Sequence, residues 1–405
     1  MGFPAALLFL MLFLGACFVL YHENLLDTNR HVLVSITLLT LSFALRVFLL
    51  EHRTGDYNVF LAPWVDHFRQ NGGFSALADQ VGNYNLPYLY FLALFSYIPI
   101  DDLYLIKYLS ICFDILLAWG VSRIVLLYSG SRGRQLTAFL AVMLLPTVIL
   151  NGACWGQCDS IFSAMCVLAF YYAVQKRSRL SLLWAALALA FKVQAVFFLP
   201  IYGMLLLTRR IRLRDLWVFP VAYVGVLLPA IALGHPVTDA LFLYARQVGG
   251  AVSALNYNSA SIYALIPYGF DADWLPYAAS IGMALALALV YTSMLWPAAR
   301  IKSVTNRTLL GLSVLLVLGI PLFLPHMHDR YFFLADVFTL MLAVIAPRYA
   351  ITAALCQFAS LLGYHAYLQQ HFLLTMNYGT YALLAAFVLI CVYIHKSFRP
   401  MVDTL

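Results

Sequence analysis

A chain of 405 residues with 64% hydrophobic and only 10% charged side chains is not a soluble globular protein, because soluble domains carry about 25% charge. A mean hydropathy of +0.88 also excludes disorder, coiled coil, collagen and disulfide-rich secreted scaffolds. The formal charge of +7 does not point to nucleic acid, since the basic residues fall in short runs between apolar segments, as in membrane topologies.

The ten-residue apolar/polar alternation of an outer-membrane barrel is absent. The expected fold is therefore all-α: one integral-membrane domain over 1–405, a polytopic bundle of about 12–13 transmembrane helices at about 20 apolar residues each. In chain order the apolar runs are 3–21, 32–50, 104–128, 135–150, 160–176, 180–191, 195–208, 215–233, 274–295, 308–324, 331–346, 350–368 and 379–395. The first run has no basic residue before it and no cleavage site after it, so it reads as a permanent helix and not as a signal peptide.

Alternating the polar turns between two faces assigns Arg30, Arg132, Arg134, Lys176, Arg177, Arg179, Arg209, Arg210, Arg212, Arg214, Arg300, Lys302, Arg307, Arg348, Lys396 and Arg399 to one side. The remainder are Arg46, Arg53, Arg69, Lys107, Arg123, Lys192, Arg246 and Arg330. The richer face is expected to be cytoplasmic, with the N-terminus outside and the C-terminus inside. The run 180–207 fits one tilted helix by length. Two short helices meeting near Lys192 and Gln194 fit the charge pattern better, because they keep both flanking basic clusters on one side.

The opposite face then carries a long loop, 51–103, and a second one, 234–273. Within the first, 58–70 places Phe60, Trp64 and Phe68 at i, i+4, i+8, the stripe of a helix lying in the interface; 87–99 is a second such element. Tips at 151–159 and 325–330 are shorter. No internal repeat stands out, so an inverted-repeat transporter signature is missing.

Charge within a bilayer is costly and therefore placed. Polar side chains gather at the mouths on the loop-bearing face: Arg46, Asp56, Asn83, Asn85, Gln157, Asp159, Lys192, Gln194, His326, His328, Asp329 and Arg330. Cations and imidazoles suit a phosphate, and a carboxylate suits proton removal from a hydroxyl. Asp56, in RTGDYNVF, reads either as a helix cap or as a general base. In WGQCDS (155–160), Asp159 reads as a cap or as a site residue, and Cys154 and Cys158 read as a pair or as packing residues. Lys192 in FKVQ, inside an apolar run, needs a carboxylate, a phosphate or water. PHMHDRYFF (325–333) is the densest cluster. His-x-His spacing suits a metal only on a strand or turn, so a phosphate clamp by His326, His328 and Arg330 is the better account, beside the alternative of an interfacial polar turn in which Asp329 and Arg330 pair. Asp114 reads first as structural, pairing with Arg123 or capping a polar pocket. NYNSASIY (256–263), with Asn256, offers weak sugar-binding character.

The series Gly55-Asp56 with Trp64, Asn83-Tyr84-Asn85-Leu86-Pro87-Tyr88, Lys107 with Asp114, Trp155-Gly156-Gln157-Cys158-Asp159, Lys192-Val193-Gln194 and Pro325-His326-Met327-His328-Asp329-Arg330-Tyr331 resembles the GT-C superfamily of integral-membrane glycosyltransferases. Within it the pattern is most similar to bacterial relatives of the second GPI mannosyltransferase and to polyprenyl-phosphate-mannose-dependent mannosyltransferases. It covers 46–340; the first 30 residues and the tail after about 345 add little beyond hydrophobicity.

The resemblance implies inverting transfer of a hexose, mannose favoured, from a polyprenyl-phosphate donor to a lipid-linked or envelope glycan acceptor outside the bacterial cytoplasmic membrane. The family's loop acid maps onto Asp56 as catalytic base. Lys192, His326, His328 and Arg330 are then expected to hold the donor phosphate. Asn83, Tyr84, Asn85, Gln157, Asp159, Gln194, Asp329, Tyr331 and Asn256 are candidate substrate contacts. No acidic neighbour of Asp56 matches the metal-binding pair of oligosaccharyltransferases, so neither metal nor other cofactor is expected; a nucleotide-sugar phosphate loop is also absent. The expected partners are the donor, the acceptor and membrane lipids, without nucleic acid. The alternatives are a transporter or flippase of lipid-linked sugars, and an O-antigen-type polymerase or ligase.

Overall fold

The structure is a computed structural model and describes residues 1–249, 254–267 and 272–398. Helices make up most of it: α1 (Phe3–His22), α2 (Asn29–Leu49), α3 (Ala62–Gln70), α4 (Leu86–Phe95), α5 (Asp102–Ser129), α6 (Arg132–Leu144) and α7 (Pro146–Ile149), which runs on into a wide turn, Leu150–Trp155. Then come α8 (Asp159–Val174), α9 (Ser178–Phe191), α10 (Ile201–Leu207), α11 (Val218–Ala232), α12 (Val237–Gly249), α13 (Leu275–Ala298), α14 (Asn306–Phe323), α15 (Phe333–Ile345), α16 (Ala350–Leu368) and α17 (Met376–Ser397). Two short strands, β1 (Asn256–Tyr257) and β2 (Met327–His328), pair in parallel.

Local chemistry sets the helix ends. Thr28 and Ser131 accept from the third backbone N–H of α2 and α6, Asp101 caps α5, and Thr305 with Thr308 forms a reciprocal capping box on α14. Gly130, at φ +62°, stops α5 in the left-handed conformation that favours glycine.

Seven described helices are long and apolar enough to cross a membrane, and the bent pair α6–α7, kinked by 48°, makes an eighth. The chain is a helical integral membrane protein. Each of the thirteen expected runs falls on helix, but α8, α9, α10 and α15 are short. The 16 residues of α8 rise only about 24 Å, against about 30 Å of hydrocarbon. Nearly all of α8 is buried, and interrupted backbone is tolerated at membrane depth where protein surrounds it.

The run 180–207 is two segments. α9 ends at Lys192 in extended backbone, a tight turn over Val193–Phe197 follows, and α10 returns beside α9, with the Tyr202 hydroxyl donating to the Ser181 carbonyl at 2.9 Å. Arg210 consequently reaches the Val174 carbonyl at 3.0 Å, and Arg179 pairs with Asp215. At the same end, Tyr128 of α5 donates to the Asn306 carbonyl, and Thr305 meets the last turn of α17. The basic clusters thus share one end of the bundle; Arg399 lies outside the described residues.

Two sequence expectations are corrected inside the bundle. Asp114 pairs with Arg46 and not with Arg123: Nη2 lies 2.9 Å from Oδ2, both side chains are fully buried, and Ser160 also bonds the carboxylate. Arg46 therefore leaves the mouth and serves as its counter-ion, while Arg123 pairs with Glu23 at 2.7 Å. In the first loop, a wide turn over Tyr57–Leu61 precedes α3. Leu61, Val65 and Phe68 are buried, while Phe60 is exposed and packs against the partly buried Trp64, their rings 6.0 Å apart. Cys154 and Cys158 are buried and unpaired.

Candidate active site

At the end of the bundle opposite the basic clusters, a cavity of about 370 Å³ opens between the first loop, the 155–157 turn, the α9–α10 tip, α12, the 328–331 turn and α16. Each element is held in place by ordinary backbone chemistry. Lys107 of α5 donates to the carbonyls of Leu49, Leu50 and His52 at 2.7–3.2 Å, closing the open C-terminal end of α2. The next turn is tied down by Thr54, whose hydroxyl donates to the Trp155 carbonyl and accepts from Tyr57 N–H. Asp56 follows and caps nothing with its side chain.

Its carboxylate is instead held from across the cavity. Oδ2 accepts from Trp155 Nε1 at 2.9 Å and from Gln157 Nε2 at 2.7 Å. The turn carrying those donors closes on Gly156, at φ +77°, where any other residue would be strained. Tyr84 donates to Gln157 Oε1 at 2.9 Å, fixing the amide that faces Asp56. Tyr367, at the end of α16, accepts from the Asp56 backbone N–H at 3.1 Å and stacks on Trp155 at 4.0 Å.

Two cations answer the carboxyls. Lys192, at the α9–α10 tip, lies 2.5 Å from Asp159 Oδ1, with both side chains almost fully buried. Asp159 does not cap α8, because its other oxygen accepts from Asn151 at 2.8 Å. Arg330 sits among three acids, 3.8 Å from Asp56, 3.8 Å from Asp159 and 3.7 Å from Asp329, with its guanidinium over the Trp155 ring at 5.1 Å. None of the three reaches ideal hydrogen-bond distance. Buried polar atoms in and around the cavity have no hydrogen-bond partner among the described residues: Arg330 Nε, Asp329 Oδ1 and Gln194 Oε1. Such atoms are costly to leave unpaired, and an oxygen-rich guest would satisfy the donor among them.

Burial shifts the titration of His328 and Asp329. His328 lies parallel to Tyr257 at 4.5 Å. Burial, reinforced by Arg330 and Lys192, lowers its pKa to about 4, so the ring is neutral at physiological pH. Burial pushes the Asp329 carboxyl up to about 7 despite the opposing pull of Arg330. Asp56 and Asp159 thus face Lys192 and Arg330, and near neutrality Asp329 holds a proton part of the time.

Of the expected residues, Asp56, Asn83, Tyr84, Asn85, Gln157, Lys192, Gln194, His328, Asp329, Arg330 and Tyr331 line the cavity. Asp159 stands behind it, on Lys192. His326 and Asn256 are not among the lining residues. The His326 ring bonds the Ala254 carbonyl at 2.7 Å and its backbone sits at φ +63°, a strained conformation that clamps the turn to residues 254–255. Asn256 closes its own turn on Ser259, and Asn85 caps α4 while donating to the Ala190 carbonyl.

Sequence reasoning missed Tyr244 of α12 and Tyr367 of α16, both on the wall, and Tyr364, which accepts from Asn151 at 2.9 Å. Two tyrosines three apart, at the polar end of an apolar run, were the available signal. No protein-family model matches the chain, and no curated protein matches it.

Proposed function

We propose that this chain is an inverting glycosyltransferase that moves a hexose from a polyprenyl-phosphate donor to a lipid-linked or envelope glycan acceptor on the extracytoplasmic face. One observation carries the reading. A carboxylate from the first loop and an arginine from residue 330, far apart in sequence, meet at 3.8 Å on the wall of a single polar cavity at the end opposite the basic clusters. The positive-inside bias makes that end extracytoplasmic, where a lipid-linked donor is the reasonable sugar source.

In this reading Trp155 and Gln157 occupy Oδ2 of Asp56, and Oδ1 takes the acceptor's proton. As that proton leaves, the acceptor oxygen bonds to C1 from the face opposite the phosphate. The C1–O bond to phosphate breaks with its electron pair on the leaving oxygen, and the anomeric centre inverts. Arg330 meets the charge gathering on the phosphate. Lys192 holds Asp159 in place and turns its remaining N–H groups to the cavity. The proposal assigns the leaving-group charge to these cations and to no metal. His328, neutral, contributes a hydrogen bond and no charge.

The test is purified protein with radiolabelled polyprenyl-phosphate-mannose and an envelope lipid extract, the products being separated by chromatography. A new mannosylated lipid in the wild type, lost in Asp56→Asn while donor binding persists, is the expected result. Donor that crosses the bilayer of proteoliposomes without forming a glycosidic bond would replace this reading with a transporter.

A further inference from the structure

A second cavity, of about 620 Å³, lies at the basic end between the last turns of α5 and α17, the start of α14 and the turn before α16. From Lys107 to Tyr128 the axis of α5 rises about 30 Å, so this cavity and the one at Asp56 are separated by roughly the thickness of a bilayer core. Arg307, Arg348 and Lys396 line it, and its described lining includes no Asp or Glu. Arg348 and Lys396 have no acidic partner among the described residues, unlike the cations of the other cavity.

A second observation points to a ligand. Tyr393 is buried, yet its hydroxyl has no hydrogen-bond partner among the described residues, and Arg307 and Arg348 are near enough to act on it electrostatically. The side-chain oxygen of Asn306, also on the wall, is buried and unpartnered as well. A hydroxyl waiting to donate and an amide oxygen waiting to accept call for a guest with anionic oxygens and a donor of its own. The positive end of the 18-residue helix α14 opens at the same place and favours an anion further. Leu127 and Ile345 supply apolar wall beside the charges.

We propose that this cavity binds a phosphate ester anion through Arg348, Lys396 and the Tyr393 hydroxyl, with a hydroxyl of the same guest donating to Asn306. The headgroup of a hydroxylated acidic phospholipid in the adjoining leaflet has this chemistry, as does free phosphate. The inference does not rest on the glycosyltransferase reading.

The experiment uses the full-length purified protein in detergent, titrated separately with phosphatidylglycerol, phosphatidylcholine and inorganic phosphate, with bound species counted by native mass spectrometry. Phosphatidylglycerol is expected to bind at least about tenfold more tightly than phosphatidylcholine. The double variant Arg348→Gln/Lys396→Gln should lose that preference, and Tyr393→Phe, which keeps the ring, should weaken phosphatidylglycerol about tenfold. Displacement of the lipid by millimolar phosphate, with the same dependence on the variants, would identify free phosphate as the source. Equal affinity for the two lipids with no phosphate binding, or variants that bind as the wild type does, would overturn the proposal. Should the double variant fail to melt cooperatively, the Tyr393→Phe titration decides alone.

Discussion

The two cavities differ most in how their cations are answered. At the Asp56 end, Lys192 and Arg330 face Asp56, Asp159 and Asp329. At the basic end, Arg348 and Lys396 line a wall whose described residues include no carboxyl. A balanced site suits a guest whose charge shifts during a reaction, because its own acids and bases can exchange protons with that guest. An unbalanced site suits a resident anion whose charge does not change. The contrast follows from topology: bias in the turns concentrates cations at one end, and Lys192 and Arg330 at the other end are buried beside carboxylates.

The largest expected effect is on the balanced side. Asp56→Asn keeps the shape of the side chain and leaves Trp155 and Gln157 in place, yet removes the proton acceptor. Transfer should fall by about 10²–10⁴-fold, the usual weight of general-base catalysis, measured as initial rate at saturating donor. A fall in donor affinity with an unchanged maximal rate would instead make Asp56 a binding group.

Next come the buried pairs. Lys192→Met strands the Asp159 carboxylate, and Arg46→Met strands Asp114; removing one member of such a pair costs about 3–5 kcal/mol. Both variants should melt well below the wild type. The doubles Lys192→Met/Asp159→Leu and Arg46→Met/Asp114→Leu should recover most of the loss. Donor binding separates them: the Arg46 double should bind donor normally, since that pair is fully buried and lines no described cavity, whereas the Lys192 double should not. Equal donor binding by the two doubles would reduce Lys192 to a structural residue.

Much of the fold was legible, because the signals that set it are local. Apolar runs and basic turns located the helices, and the clusters flanking 180–207 foretold the break at Lys192. The wide turn at Tyr57–Leu61 was not legible, because it is a choice between near-equivalent hydrogen-bond patterns that the sequence does not distinguish. Within the site, polar residues stranded in apolar context, such as Lys192 and Gln157, stood out. Tyr367 and Tyr244 did not, because a tyrosine at a helix end is ordinary in a membrane protein. The spacing of His326 and His328 suggested equivalent roles. A left-handed backbone at His326 turns one ring to the Ala254 carbonyl and the other into the cavity, and sequence alone does not encode that rotation. The partner of Asp114 was misassigned for a similar reason: Arg123 was near in sequence, while Arg46 was near in space.

The smallest predicted effect tests whether the charge balance matters. With a pKa near 7, Asp329 is mostly neutral below neutrality and ionised above it. Ionisation adds a negative charge 3.7 Å from Arg330, the group assigned to the donor phosphate. Donor affinity should therefore be constant below about pH 6 and fall as pH rises through 7, by up to about tenfold per unit if only the protonated form binds. Stability should shift in the same direction: a carboxyl whose pKa is raised on folding holds its proton more tightly in the folded state, so stability declines as pH climbs from the ordinary carboxyl range through 7. Asp329→Asn should flatten both profiles. At the basic end no acid is among the described lining residues, so binding of phosphatidylglycerol should not change between pH 6 and 8. A flat donor profile in the wild type would mean that Arg330 is already neutralised by Asp56 and Asp159, and that Asp329 is a spectator in the turn.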